Sequence, residues 1–152
     1  MHLKNLFDFA ECQETIARIN RLTPETKNLW GKMNVAQMLA HCNVAYELVY
    51  TDKHPKPTGL RKLLIKLFAK KVVIGQKPYK KNSPTSPIFV VSDQKEFEKE
   101  KNRLIAHLVK TQKLGAVHFK GKESHSFGPL SETEWNTLFS KHLDHHLRQF
   151  GV

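Results

Sequence analysis

Apolar side chains recur at three- and four-residue steps in five separate stretches of this chain. That spacing commits each stretch to a helix with one buried face. The stretches run from Phe7 to Asn20, Asn34 to Val49, Leu60 to Val73, Asp93 to Gln112 and Ser131 to Gln149. In the second, Met38, Cys42, Ala45 and Val49 form the stripe; in the fourth, Phe97, Leu104, Ile105 and Leu108 do. In the last, Trp135, Leu138 and Phe139 begin a stripe that His142 and His146 continue.

Start and stop signals agree with these bounds. Asn34 with Gln37, and Ser131 with Glu134, have the spacing of a capping box, in which each side chain satisfies the other residue's orphan backbone N–H. Thr23-Pro24 reads as the opening of a short helical turn, and Gly151 as the stop of the last helix. Three prolines between Lys77 and Val91 mark a long surface connection. Gly115 to Gly128 reads as a loop, with Ala116 to Phe119 as an alternative short strand. Neither segment separates two cores, so residues 1–152 are expected to form a single domain. The expected class is all-α: four main helices with an extra short basic helix and long crossover loops.

Composition narrows the setting. With 39% hydrophobic and 26% charged residues in 152, the chain has material for one core. No apolar run reaches the roughly 18 residues of a spanning helix, and the start MHLKNLFDFAECQ has no signal-peptide pattern. Cys12 and Cys42 make no disulfide framework, so a cytoplasmic location is expected. There is no Gly-x-Ser-x-Gly, Walker loop or Gly-x-Gly-x-x-Gly, which removes support for nucleotide-dependent chemistry.

The chemistry resides in the histidines. His142 and His146, one turn apart on a buried stripe, can reach one ion together, and neutral imidazole suits zinc, nickel, copper or iron. The alternative is an interior pair bonded to backbone or a carboxylate. His41, beside the stripe of the second helix, is the best third ligand; its alternative is a core histidine bonded to another side chain. Three histidines would leave a coordination position open, as in catalytic rather than structural sites. His145 points about 100° away from its partners on a 3.6-residue helix and is expected beside the ligands, not among them. Asp144 is a candidate to orient a histidine, and His118 and His125 could close over the site from a loop.

Two segments also resemble a known family. Trp30-Gly31-Lys32-Met33-Asn34-Val35-Ala36-Gln37-Met38-Leu39-Ala40-His41 is similar to the helix-two motif of the DinB/YfiT-like superfamily. Lys141 to Gln149, KHLDHHLRQ, is similar to its closing His-x-x-x-His motif. The resemblance implies a four-helix bundle with up-down-down-up connectivity. It implies His41, His142 and His146 as ligands of a divalent metal, nickel or zinc, with water completing the sphere. It also implies chemistry related to transferases and isomerases that use a low-molecular-weight thiol as cosubstrate.

A metal-dependent enzyme acting on a small molecule, by thiol transfer or hydrolysis, is therefore the leading expectation, with a homodimer as a common state for such bundles. The second is a non-catalytic module for nucleic acid or an anionic membrane. It is motivated by the net charge of +11 and by ten lysines and arginines between Lys53 and Lys81. A third is a catalytically inactive bundle that keeps its metal for stability.

Overall fold

The computed structural model describes residues 3–152. Its five α-helices are α1 (Phe9–Asn20), α2 (Val35–Tyr50), α3 (Gly59–Ile74), α4 (Phe97–Phe119) and α5 (Glu132–Gln149). A 3-10 turn, Pro87–Phe89, interrupts the connection from α3 to α4. A two-residue antiparallel pair, β1 (Glu123–Ser124) with β2 (Gly128–Pro129), sits between α4 and α5. Helix α2 packs on α4 and α5, α1 packs on α4, and α3 packs on α5.

The caps form as the spacing predicts. Asn34 accepts from the Gln37 backbone N–H while the Gln37 side chain accepts from Asn34; Ser131 and Glu134 do the same for α5. Beyond α5, Gly151 takes a φ of 75°. There its N–H donates to the Arg148 carbonyl and that of Val152 to the Leu147 carbonyl, which closes the helix as a left-handed glycine turn does.

The core is aromatic where α2, α4 and α5 meet. Tyr46 stacks on Phe139 at 5.0 Å, Phe139 on Trp135 at 5.5 Å, and Phe119 packs against both. Beside it, α2 and α4 are joined by a buried polar network. Arg103 pairs with Glu47 and Glu100, and Asn43 donates to both the backbone carbonyl and the carboxylate of Glu100.

Four expectations need correction. The basic helix α3 is not short: it has 16 residues, as many as α2, and α1 with 12 is the shortest. Helix α4 starts later than Asp93, because the Gln37 amide donates to the Ser92 and Asp93 carbonyls and holds that backbone out of the helix. Its far end is neither strand nor loop. Gly115 breaks the helix with φ 71° and ψ 170°, after which Ala116 to Phe119 resume a helical turn that delivers Phe119, fully buried, to the core. Thr23-Pro24 opens only a turn, closed by the Thr26 N–H on the Thr23 carbonyl. Among the described residues no helix is long and apolar enough to cross a membrane.

Candidate metal centre

Two helices bring the three histidines together. Nearly every side chain of α2 from Val35 to Glu47 is buried, so His41 is only 4% exposed. Helix α5 turns His146 inward at 8% exposure, with His142 half-buried one turn before it. The rings form a triangle, with centroids 4.9 Å apart for His41–His142, 4.5 Å for His41–His146 and 4.8 Å for His142–His146. One nitrogen from each lies within 4.8 Å of the other two. Tetrahedral zinc–histidine geometry sets such nitrogens about 3.4 Å apart, so small side-chain rotations close the set on an ion.

Hydrogen bonds set which nitrogen of each ring is available. His41 Nδ1–H donates to the Phe89 carbonyl at 2.7 Å, which leaves its Nε2 as a lone pair. His146 Nδ1–H donates to Gln149 Oε1 at 2.8 Å, leaving its Nε2 likewise. The Gln149 amide is itself oriented, because its Nε2–H donates to the Trp30 carbonyl at 2.7 Å. These are the contacts that orient metal-binding histidines: each satisfies one nitrogen and aims the other. His142 Nε2 then lies 2.9 Å from His41 Nε2. With its proton on Nε2, a neutral His142 donates to the His41 Nε2 lone pair, and a metal ion bound by both rings would take the place of that proton.

Burial keeps the rings neutral, the form that binds metal. It pushes His146 down to about 3, and His41 adds to the effect. It pushes His142 well below the ordinary imidazole value, with His146 and His41 contributing. His41 is lowered too, although its bond to Phe89 opposes the shift.

The remaining candidates lie elsewhere. His145 stays beside the trio, its ring edge-on to Trp30, Tyr79 and His146. Asp144 orients no histidine: its carboxylate accepts from Arg18 at 2.9 Å and Arg148 at 2.8 Å, because its place on α5 faces α1. His118 sits on the turn after Gly115, within reach of Lys122, and His125 bonds Ser126 and the His54 carbonyl; neither closes over the trio. The cover comes instead from Phe89, which packs on His41 and His142 at 5.3 and 5.5 Å. Gln149 and Phe89 were not read from the sequence. Gln149 carried a signal, three residues after His146 on the same helix face. Phe89 carried none, since only the folded connection brings it there.

The family described as "Protein of unknown function (DUF1569)" matches residues 1–151. The chain belongs to this family. No curated protein and no solved structure gives a match, so the reading of the DUF1569 site rests on this chain's own geometry.

Proposed function

We propose that this protein is a metal-dependent enzyme of the DinB/YfiT-like four-helix-bundle type, with His41, His142 and His146 holding a nickel or zinc ion. The observation that carries the reading is the convergence of the three rings, with His41 and His146 each fixed through Nδ1 so that Nε2 faces inward. Three nitrogen ligands leave a position for a small molecule, the pattern of catalytic rather than structural sites. An ion held there would lower the pKa of a water or thiol bound to it, which suits hydrolysis or transfer from a low-molecular-weight thiol to an electrophilic substrate.

The protein's own contributions are separable from the ion's. Phe89 and the carbonyl it presents hold His41 and exclude water from one side; Gln149 and Trp30 hold His146. Elemental analysis of the purified protein should find one nickel or zinc per chain. Addition of a thiol should change the visible spectrum of the cobalt-substituted protein. Protein that retains no metal after dialysis, and whose His41, His142 and His146 alanine variants bind added metal like the parent, would sink the proposal.

A further inference from the structure

Helix α3 carries apolar side chains on both of its sides, and one side faces solvent. Its apolar residues Leu60, Leu63, Leu64, Leu67, Phe68 and Val72 are between 45% and 72% exposed, and none of its residues is buried. At 100° per residue these six share one half of the helix surface. The opposite half, through Ile65, Ala69 and Val73, lies half-buried toward the rest of the molecule. Polar ties join these half-buried residues, and Ile74 against the core, in holding α3 down. Lys62 pairs with Glu123 at 3.6 Å and Lys70 with Glu134 at 3.4 Å. The Lys141 amine, from α5, caps the end of the helix by donating to the Val72 and Gly75 carbonyls at 2.6 and 2.8 Å.

A globular protein ordinarily turns such a stripe inward, and a contiguous exposed one marks an interaction surface. Charge selects the partner. From Lys53 to Ser92 there is no aspartate or glutamate, against ten lysines and arginines. Exposed Arg61 and Lys71 lie among the apolar residues of this half of α3, and exposed Lys66 lies on the other half. A second copy of this chain would bring two such cationic surfaces together. A nucleic acid would meet the cations but would leave the leucines and Phe68 without an apolar environment.

We propose that the outward face of α3 docks on an anionic lipid bilayer. The leucines and Phe68 enter the boundary between headgroups and acyl chains, and the long side chains of Arg61 and Lys71 snorkel from the same face to the lipid phosphates. This surface is separate from the histidine trio and stands or falls without it.

Sedimentation of the full-length protein with phosphatidylcholine vesicles, with and without phosphatidylglycerol, tests the proposal. The protein should sediment with the anionic vesicles and stay in solution with the neutral ones. The double substitution Leu67→Glu and Phe68→Glu, at sites that support no core, should weaken partitioning about tenfold or more with an unchanged thermal midpoint. A His41→Ala variant should bind the vesicles like the parent. Equal binding to neutral vesicles, or anionic binding that the double substitution leaves intact, would overturn it. So would duplex DNA binding without vesicle binding, or a dimer in light scattering that the double substitution dissociates while no vesicles are bound.

Discussion

His41 Nε2 and His142 Nε2 stand 2.9 Å apart across the α2–α5 contact, and the Phe89 carbonyl has already claimed the proton on the far side of the His41 ring. The pair is stable as a shared proton or as two ligands on one cation. A divalent ion that binds the folded state alone should therefore stabilise the protein. Near one hundred times its dissociation constant it adds about 2.7 kcal/mol, which for a chain of this length raises the thermal midpoint by about 5–10 °C. Differential scanning fluorimetry with added zinc or nickel measures this, and the His41→Ala, His142→Ala and His146→Ala variants should each lose the increment.

Gln149 should matter nearly as much as a ligand. Replacing it with leucine frees His146 Nδ1 and removes the bond to the Trp30 carbonyl, so metal affinity should fall by about 10–100-fold while all three ligands remain. Gly31 offers an independent approach to the same contact. Its φ is 85°, and a Cβ there would press on the Gln149 amide, so Gly31→Ala should weaken metal binding in the same direction. Competition titration against a chromophoric chelator reads both.

Glu47 makes the acid limb of stability testable. Burial alone would raise its pKa, but hydrogen bonds from His54, Arg103 and Lys53 outweigh burial and bring it down to about 2. Its folded-state value is thus depressed below the unfolded one. The stabilisation is fully present above about pH 4.5 and is lost as pH falls from there toward 2. Chemical denaturation across that window should show a steeper acid loss for the parent than for Glu47→Gln, which carries no such titration.

Lys141 should govern the attachment of α3. Lys141→Met removes both donors to the Val72 and Gly75 carbonyls, at a cost of about 1–3 kcal/mol, a range that covers hydrogen bonds to charged groups. Hydrogen exchange should show faster exchange of the α3 amides after this substitution, with α4 protection retained. Equal loss of protection in both helices would mean that Lys141 supports the whole fold and not α3 alone.

Helix positions and their caps were legible from the chain, because they depend on contacts within four residues: the apolar stripes, the Asn34–Gln37 and Ser131–Glu134 boxes, and the glycine stop at Gly151. The pairing of His142 with His146 was equally local. His41 was reachable because a histidine amid buried side chains needs a partner. What depends on distant segments was not legible. Asp144 is drawn to Arg18, 126 residues away, so its carboxylate faces α1 and away from the histidines. Gln37 reaches 55 residues along the chain to Ser92 and delays the start of α4. Local pattern determined that α3 is an amphipathic helix rich in lysine, and only the tertiary structure decided which side of it faces out. That choice involves Glu123 and Glu134 pairing with Lys62 and Lys70, and Lys141 holding the Val72 and Gly75 carbonyls, partners that no periodicity within α3 could name.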